Sequence, residues 1–491
     1  MAKVTFMGAG STIFAKNVLG DCLNIDSLKD ARIALYDIDA QRLEDSRMMM
    51  ESLVRNTPGA TAKISAHLGV ENRKKALKGA DFVVNAIQVG GYQPCTVTDF
   101  EIPKKYKLRQ TIADTLGIGG IFRALRTIPV VLDFARDMEK VCPDAWFLNY
   151  VNPMAMITGA LLRGSSIRGV GLCHSVQGCA RHLLRELGLD PSKMDLRWEI
   201  AGINHMAWLL SVSDGGKDLY PEIKRRASEA LERLRKHPGG GHGYHEAFIA
   251  KANAAGRGDW WQYREELIKA AHEQGQEPPQ DVVDSLIAGD MVRLELMLRF
   301  GHYITESSEH NAEYCSWFIK DRYPQLIDEY NIPLDEYPRR CVNQINGWEH
   351  QRRELVSNKA LAHTPSHEFG AYIMDSILTD KPLRIHGSVM NKGLITNLPR
   401  KACVEVACLI DKNGVQPTFI GELPEPCAAM NMTNVNVQIL AVEAALTLKK
   451  DLIYQAAYLD PHTGAELLLD DIKNLCDDLI TAHGDWLPKY R

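Results

Sequence analysis

VTFMGAGSTIF, residues 4–14, decides the fold of this chain. Its apolar residues up to Met7 have the pattern of a buried strand, and a helical pattern follows the two glycines. Glycines at such a turn let backbone N–H groups at the start of the helix face a pyrophosphate. The stretch therefore predicts a dinucleotide contact made by five residues: Gly8, Gly10, Ser11, Thr12 and Ile13.

Position 13 is isoleucine where the dinucleotide fingerprint usually has a third glycine, so the turn alone is a weak signal. The next apolar run strengthens it, because ARIALYDID at 31–39 has the pattern of a second strand and ends near Asp37. A carboxylate there can accept hydrogen bonds from both ribose hydroxyls of an adenosine and repels a 2′-phosphate. NAD is therefore predicted in preference to NADP, with a cofactor-free flavodoxin-like sheet as the alternative.

Short apolar runs alternate with helical patterns through the first 175 residues, as in consecutive βαβ units. From about residue 195 the helices become longer, as at 221–236 and 281–300, and a few strands remain, such as VEVACLI at 404–410. The sequence predicts an α/β protein with two domains. Residues 1–195 form a Rossmann-like, doubly wound parallel sheet that binds the dinucleotide, and residues 196–491 form an α+β domain for substrate binding and oligomerisation.

The composition is that of an ordinary globular protein, with 491 residues, 45% of them hydrophobic and 24% charged. The formal net charge is −5 and the two signs are mixed along the chain, so nucleic acid is a poor partner. We expect no membrane span and a cytoplasmic protein, because no apolar run reaches bilayer length and no signal-peptide pattern opens the chain. The eleven cysteines form no C-x-x-C pair, as expected of reduced thiols.

Polar side chains follow the later strands of the predicted sheet. Ligands of a doubly wound sheet bind outside the carboxyl ends of its strands. Gln88 lies at such an end in DFVVNAIQVGG, and Asn149 and Asn152 lie at the next one in AWFLNYVNP. Gln88 and Asn149 are predicted to contact the cofactor.

GVGLCHSVQG, residues 169–178, places Cys173 at a further strand end, and EIAGINHMAW at 199–208 ends a later strand near His205. A thiolate and an imidazole that converge there could hold a divalent transition metal and leave positions open for substrate oxygens. Asn204, next to His205, is predicted to bind the substrate. Packing is the alternative for both ligands, since a buried cysteine is usually a small hydrophobe.

Three histidines, at 237, 242 and 245, lie in the glycine-rich stretch KHPGGGHGYHEAF. A segment of this composition holds side chains poorly, which favours a mobile surface loop over a metal site. We place no functional residue there.

Seven stretches of the chain, in order from the N-terminus, resemble the NAD-dependent family 4 glycoside hydrolases. Within that family the sequence is most similar to the bacterial α-galactosidases of the melibiase type, which carry Cys-His-Ser-Val where Cys173 begins that tetrapeptide here. The stretches are MGAGSTIFAKNVLGD, GGYQPCTVTDFEIP, QTIADTLGIGGIFRALRTIP, LNYVNPMAM, GLCHSVQG, GINHMAW and NLPRKACVEVACLIDKNGVQP.

The resemblance implies a manganese-type cation on Cys173 and His205, with substrate hydroxyls completing its shell, and a sugar contact by Asn152. Other divalent transition metals suit these ligands as well. Members that act on phosphorylated sugars carry an arginine about sixteen residues before the acidic residue of the Q-T-I-A-D-T motif. Counting back from Asp114, this chain has Thr98, which disfavours a phosphorylated substrate.

The resemblance also implies a mechanism that differs from the paired carboxylates of ordinary glycosidases. NAD takes hydride from C3 of the sugar, a side-chain base removes the C2 proton, the C1 substituent leaves, and water adds before the hydride returns. His174 is the candidate general acid, with orientation of Cys173 as its other possible role. Asp114 matches the residue that supports the base, and the base itself is His310 or Tyr314, with Tyr303 behind them.

The resemblance implies hydrolysis of α-galactosides, and we expect an oligomer, either a dimer or a tetramer. A uronide or an α-glucoside is the alternative substrate. A 2-hydroxy acid dehydrogenase is one alternative, and it needs neither a thiolate-bound metal at Cys173 and His205 nor so long a second half. A non-catalytic NAD- or sugar-binding protein is another, and intact NAD binding without any activity would support it.

Overall fold

In a computed structural model that describes residues 1–366 and 368–491, the first strand, Lys3–Met7, is buried along its whole length. It pairs in parallel with a strand on each side, and burial on both faces is typical of a parallel sheet covered by helices. The described residues form one sheet of thirteen strands. The strands are β1 Lys3–Met7, β2 Arg32–Asp37, β3 Lys63–Leu68, β4 Phe82–Asn85, β5 Trp146–Asn149, β6 Arg168–Gly171, β7 Leu196–Ile203, β8 Met206–Asp214, β9 Lys217–Asp218, β10 Tyr303–Ile304, β11 Leu383–Met390, β12 Cys403–Asp411 and β13 Gly414–Pro417.

The parallel half has the order β3-β2-β1-β4-β5-β6, with the direction of growth reversing beside β1, as in a doubly wound sheet. The remaining strands continue the sheet in antiparallel fashion through β11, β12, β7, β8 and β10. The predicted α/β class with a Rossmann-like N-terminal sheet and an α+β C-terminal part is confirmed.

Helices cover the sheet and build the outer parts of the molecule. They are α1 Thr12–Leu23, α2 Ala40–Asn56, α3 Arg73–Leu77, α4 Val97–Lys105, α5 Gly117–Val141, α6 Met154–Gly164, α7 His174–Gln177, α8 Cys179–Glu186, α9 Tyr220–Lys236, α10 Gly240–Ala254, α11 Trp260–Glu273, α12 Gln280–Ile287, α13 Met291–Phe300, α14 Ser308–Glu313, α15 Leu326–Glu329, α16 Glu336–Val356, α17 Gly370–Thr379, α18 Glu425–Thr447, α19 Asp451–Leu459, α20 Pro461–Glu466 and α21 Leu469–His483.

Two expectations about the helices were wrong. The glycine-rich stretch around His242 and His245 is not a loop, because α10 covers Gly240–Ala254 and buries Phe248 against the neighbouring helices. The expected helix over 281–300 is divided into α12 and α13 by a break at Ala288–Asp290, where the backbone N–H of Asp290 bonds Ile287 O at 2.8 Å. In the glycine-rich stretch, packing against neighbouring helices stabilises a helix that the local composition does not favour.

Among the described residues, no helix combines the length and the apolar character that a membrane crossing requires. All eleven cysteines are free thiols, ten of them buried, as the spacing predicted. The parallel strands β1, β2, β4, β5 and β6 all end at one edge of the sheet, which therefore gathers the polar residues that follow them.

Candidate active site

The turn after β1 brings the backbone of two elements into close contact. Gly8 has a left-handed φ of 87°, and a Cβ there would lie 2.7 Å from the carbonyl carbon of Ala86. Gly10 N donates to Asp37 Oδ2 at 2.6 Å, and Asp37 Oδ1 accepts from the backbone of Ile38 at 2.7 Å. The structure thus places Asp37 beside the glycine turn, as the strand pattern predicted.

Helix α1 begins at this turn, and the side chain of its N-cap residue, Ser11, makes no capping hydrogen bond. Its first N–H groups therefore keep their capacity to donate to an anion. Ser11 and Ile13 are exposed, whereas the Thr12 hydroxyl is buried against Ser46 Oγ at 3.0 Å. Two of the five residues predicted here, Ser11 and Ile13, thus face the open side of the turn.

The two amides predicted to contact the cofactor differ in their surroundings. Asn149 is fully buried, accepts from Asn85 Nδ2 at 2.9 Å and donates to Thr158 Oγ1 at 3.1 Å, so its amide already serves the packing of the strand ends. Gln88 is more accessible, and its Nε2 lies 3.5 Å from Thr96 Oγ1. A cofactor contact by either residue stays a prediction.

Cys173 and His205 come together with an acidic side chain that the sequence did not single out. Cys173 follows β6, and His205 occupies the two-residue turn between β7 and β8. Glu306 follows β10, with its Oε2 3.3 Å from His205 Nε2 and 4.0 Å from Cys173 Sγ. The three potential ligand atoms all lie within 4.8 Å of one another.

His205 is held in a defined orientation. Its backbone has a left-handed φ of 66°, and its Nδ1 lies 3.0 Å from the hydroxyl of Tyr314. The Nδ1 contact leaves Nε2 facing Glu306, as in sites where an outer hydrogen bond orients a metal-binding imidazole. Tyr314, a candidate base, therefore contacts the histidine that is predicted to be a metal ligand.

A line of polar contacts joins this cluster to the other predicted residues. Asn152 Nδ2 donates to Asp114 Oδ2 at 3.3 Å, and Asp114 Oδ1 lies 3.7 Å from His310 Nε2. His310 Nδ1 is 3.6 Å from Glu306 Oε1 and 2.7 Å from Ser307 Oγ. Tyr303 stands apart, because its hydroxyl donates to Asp290 at 2.6 Å.

Burial and charge act in opposite directions on the acidic groups of this line. Burial raises the pKa of Asp114, but the interaction with His310 and the charge of Arg123 outweigh it and hold that pKa well below its usual range. Burial also raises the pKa of Glu306, but the charges of His205 and His310 lower it by more, so the pKa of Glu306 lies below its usual value. Both carboxyl groups are therefore anionic near neutral pH.

The thiol responds differently. Burial, together with the charges of Glu405 and Glu306, raises the pKa of Cys173 to about 12. A bound cation would reverse this situation, since a coordinating thiol loses its proton.

His174 lies next to the cluster and has an acidic partner of its own. Its Nε2 is 2.7 Å from Glu368 Oε2, and its ring packs against Tyr150 and Phe369. The hydrogen bond to Glu368 raises the pKa of His174. More than half of the His174 side chain is exposed, at 57%, so it can reach a ligand.

Two further buried carboxyl groups support the site and were not predicted. Glu313 accepts hydrogen bonds from the backbone N–H groups of Thr111 and Ala113, at 2.8 and 2.7 Å, just before Asp114. Glu405 in β12 accepts from Asn204 Nδ2 at 3.4 Å. Burial raises the pKa of each of these two carboxyl groups to about 7.

A separate cavity of about 940 Å³ lies among the helices of the C-terminal half. Its walls include His245 and Trp260 from the glycine-rich stretch and its neighbour, and Ser308 and Glu309 from α14. The described lining contains none of the residues predicted for catalysis, cofactor or metal.

Fold and site together define a class of protein: a Rossmann-like protein in which a dinucleotide-type turn and a cluster of a thiol, an imidazole and a carboxylate are built on one sheet. Two family models match the chain, Family 4 glycosyl hydrolase over residues 3–189 and Family 4 glycosyl hydrolase C-terminal domain over residues 200–463. The chain belongs to the family 4 glycosyl hydrolases, which confirms the predicted resemblance. Membership also favours a glycosidase over the dehydrogenase alternative.

Similar proteins extend along the whole chain. An α-galactosidase of Bacillus subtilis (strain 168) is 53% identical over 491 residues, which is 100% of both chains. An α-galactosidase of Rhizobium meliloti (strain 1021) is 30% identical and covers 99% of this chain and 89% of its own. A crystal structure of a 6-phospho-α-glucosidase from gut microorganisms, in complex with NAD and Mn²⁺, matches with a TM-score of 0.73 at 21% identity over 100% of both chains, which shows a shared fold.

Proposed function

We propose that this protein is an α-galactosidase that cleaves α-linked galactosides with bound NAD and a divalent cation such as Mn²⁺. The observation that carries the proposal is the meeting of Cys173 and His205 within one cluster, in a chain that is 53% identical to a Bacillus subtilis α-galactosidase. Thr98 at the position of the phosphate-binding arginine supports an unphosphorylated substrate.

The N-terminal turn fits NAD. The uncapped start of α1 offers N–H donors to a pyrophosphate, and Asp37 retains lone pairs for ribose hydroxyls because its bonds to the backbone use only part of its accepting capacity. NAD, when bound, supplies a hydride acceptor for a sugar carbon. The proposed contacts are those predicted from the sequence, Gln88 and Asn149 included.

The cluster at Cys173 and His205 fits a divalent transition metal. Sulfur and imidazole nitrogen are ligands that such ions accept, and the orienting bond from Tyr314 leaves His205 Nε2 free for one. A cation held there supplies Lewis-acid polarisation of sugar oxygens. Tyr314 is thereby assigned to positioning His205, although the sequence left it as a possible base.

His310 is proposed to take the proton from C2 of the sugar. Its Nδ1 is engaged by Ser307 Oγ, so Nε2 is the ring atom that faces Asp114 and can accept a proton. The contact between Nδ1 and Ser307 Oγ orients the ring, and Asp114, 3.7 Å from Nε2, balances the positive charge that the imidazole gains. Asn152 also contacts Asp114, because its Nδ2 donates a hydrogen bond to that carboxylate. The Oδ1 atom of Asn152 has no partner among the described residues, which supports a hydrogen bond from a sugar hydroxyl.

His174 is proposed to protonate the departing oxygen at C1. Glu368 on its Nε2 favours the protonated ring, and its exposed side chain can reach a leaving group beside Cys173. Loss of the C2 proton to His310 and of the C1 substituent with a proton from His174 forms a C1–C2 double bond. Water then adds at C1, the C2 proton returns, and the net reaction is hydrolysis.

The proposed roles can be assigned to the two predicted domains of the chain. We propose that residues 1–195 bind the dinucleotide and residues 196–491 supply the substrate side, including Asn204, and the oligomer contacts of a dimer or tetramer. A cytoplasmic enzyme is supported by the eleven free thiols, which a reducing compartment preserves.

The test is an activity assay of the purified, chelator-treated protein. Aryl α-galactoside, α-glucoside and α-galacturonide are each supplied with and without NAD⁺, Mn²⁺ and a thiol. We expect hydrolysis of the α-galactoside alone, and only when both NAD⁺ and Mn²⁺ are present. Full turnover of dialysed protein, with mass spectrometry finding no retained NAD and elemental analysis no metal, would overturn the proposal.

A further inference from the structure

Glu306 stands in the metal-type cluster although its position after β10 gave no signal in the sequence. Its two carboxylate oxygens have different neighbours. Oε1 accepts from the backbone N–H of Ser307 at 3.2 Å and lies 3.6 Å from His310 Nδ1. Oε2 is the atom near His205 and Cys173. One oxygen is thus anchored by the protein, and the other faces the two predicted ligands.

We infer that Glu306 is a third protein ligand of the divalent cation, a role that rests on the proposed metal site at Cys173 and His205. Oxygen, nitrogen and sulfur donors bound to one ion at ordinary bond lengths lie about 3 to 3.6 Å apart. The Oε2 to Nε2 distance of 3.3 Å falls in that range. The Oε2 to Sγ distance of 4.0 Å exceeds the upper end of that range by about 0.4 Å.

The backbone supports the same assignment. Glu306 has a left-handed φ of 68°, and His205 has one of 66°. Such a conformation is unfavourable for residues other than glycine, and it tends to persist where a functional geometry requires it. Two of the three cluster residues thus adopt it, and both point donor atoms at the same place.

The chemistry of the donor set adds a third reason. Thiolate and imidazole suit softer transition metals, whereas Mn²⁺ prefers oxygen ligands such as carboxylate. A carboxylate from Glu306 would bring the protein's contribution to one sulfur, one nitrogen and one oxygen. Sugar hydroxyls or water would fill the remaining positions.

The competing explanation is that Glu306 only pairs electrostatically with His205 and His310. Direct binding of Mn²⁺ alone distinguishes the two roles. Chelator-treated wild type and Glu306→Gln are titrated with Mn²⁺ in the absence of NAD and sugar, and free Mn²⁺ is measured by its electron paramagnetic resonance signal. Glu309→Gln is the matched control, because Glu309 lies on the same segment but its carboxylate accepts from Arg340 at 2.7 Å.

We expect Glu306→Gln to raise the Kd for Mn²⁺ by at least about tenfold, and Glu309→Gln to change it less than twofold. Circular dichroism and thermal unfolding verify that each variant is folded, and Glu306→Ala replaces Glu306→Gln if the amide variant fails that check. A folded Glu306 variant with the wild-type Kd would overturn the inference.

The same titration separates this inference from the proposed function. Cys173→Ser and His205→Ala must also lose Mn²⁺ affinity if the proposed site exists. If they lose it and the Glu306 variant does not, only the role of Glu306 falls. If wild type fails to bind Mn²⁺, or all these variants bind it equally well, the metal site and the inference are overturned together.

Discussion

His174 carries the proposed protonation of the leaving group, and its partner Glu368 determines how well it can do so. Two features of His174 matter: the hydrogen bond to Glu368 and an exposed ring edge that can meet a ligand. A general acid matters most when the departing oxygen is a poor leaving group, because a good one departs without a proton. This dependence gives the role of His174 a test that is independent of pH.

We predict that His174→Ala lowers kcat/KM for an α-galactosyl disaccharide by about 10² to 10⁴-fold and that for p-nitrophenyl α-galactoside by much less. Glu368→Gln should give a smaller loss with the same substrate dependence, because it weakens the orientation of His174 without removing the ring. Steady-state rates over a series of aryl leaving groups measure the effect. His182→Ala, on an exposed histidine paired with Glu186, is the control. Equal losses on both substrates in His174→Ala would assign the residue to orienting Cys173 instead.

A second prediction concerns Gly8 at the dinucleotide turn. A methyl group there would meet the Ala86 carbonyl at 2.7 Å, so Gly8→Ala should weaken NAD binding by at least about tenfold and destabilise the fold by roughly 1 to 3 kcal/mol. Gly59→Ala is a matched control, because Gly59 has a similar left-handed φ of 77° but nothing within 4 Å of its missing Cβ.

Calorimetric titration with NAD and urea unfolding of the two glycine variants provide the measurements. The comparison isolates the close contact at Gly8 from the backbone cost that both positions share. Wild-type NAD affinity in a folded Gly8→Ala protein would mean that the turn does not hold the cofactor.

The sequence predicted some residues of the site and could not predict others. Cys173 and His205 were predicted because each follows an apolar strand. Their meeting could not be derived from a common strand edge, because β7 runs opposite to β6 through three antiparallel pairings. Glu306 was missed because it follows a strand of only two residues and reaches the cluster through a left-handed turn that no local pattern encodes. Glu405 had a usable signal, since it is a charged residue inside the apolar strand VEVACLI.

At the scale of elements, the segment between α16 and α17 links the N-terminal sheet to His174. Asp21 on α1 accepts from the backbone N–H of Ser366 at 2.8 Å and lies 2.7 Å from His363 Nε2. Ser366 Oγ in turn accepts from the backbone N–H of Glu368 at 3.0 Å. Asp21 therefore holds the segment that carries the partner of His174.

We predict that Asp21→Asn destabilises the protein by about 1 to 3 kcal/mol at pH 7, because Asp21 is only 2% exposed and accepts several hydrogen bonds. Burial raises the folded-state pKa of Asp21, but the hydrogen bonds from His363 and Ser366 lower it by more, so this pKa lies below its usual value. A carboxyl pKa that is lowered in the folded state contributes stability at pH values above the unfolded-state pKa of about 4, and that stability is lost as the pH falls through the folded-state pKa.

The difference in unfolding free energy between wild type and Asp21→Asn should therefore be constant from pH 7 to 5 and shrink towards pH 3. Urea unfolding at each pH measures it. Asp26→Asn is the control, since the Asp26 side chain is 96% exposed. A difference that grows on acidification would contradict the assignment. The variant should also lose activity, because Glu368 is no longer held.

At the scale of the whole molecule, the sheet continues from one predicted domain into the other. Ser388 of β11 pairs with Gly171 of β6, so the strand that precedes Cys173 joins the antiparallel half directly. Strands β11 and β12 separate β6 from β7 in the sheet, yet the side chains of Cys173 and His205 meet. Alternation of strands and helices predicted the parallel half, whereas the antiparallel continuation depends on strands more than 200 residues apart, such as Glu405 beside Gly202, which local patterns cannot pair.

The positions of the dinucleotide turn and of His310 bear on the proposed mechanism. The dinucleotide turn follows β1 of the parallel half, and His310 lies on α14 between Asp114 of the N-terminal part and Glu306 of the C-terminal part. A hydride acceptor and a base together favour removal of hydrogen from neighbouring carbons over direct displacement at C1. Displacement by paired carboxylates never touches C2. The two mechanisms therefore differ in the fate of one hydrogen atom.

We predict that galactose released during hydrolysis in D₂O carries deuterium at C2, because the proton that His310 removes exchanges with solvent before C2 is protonated again. Proton NMR of the product measures the label, and galactose incubated with the enzyme's buffer in D₂O is the control for uncatalysed exchange. A base shielded from solvent would return the original proton, so substrate deuterated at C2 is assayed in parallel and should show a primary kinetic isotope effect wherever C2–H cleavage limits the rate. Product that is fully protonated at C2, together with no isotope effect from deuterium at either C2 or C3, would contradict elimination and leave direct displacement as the mechanism that the site performs.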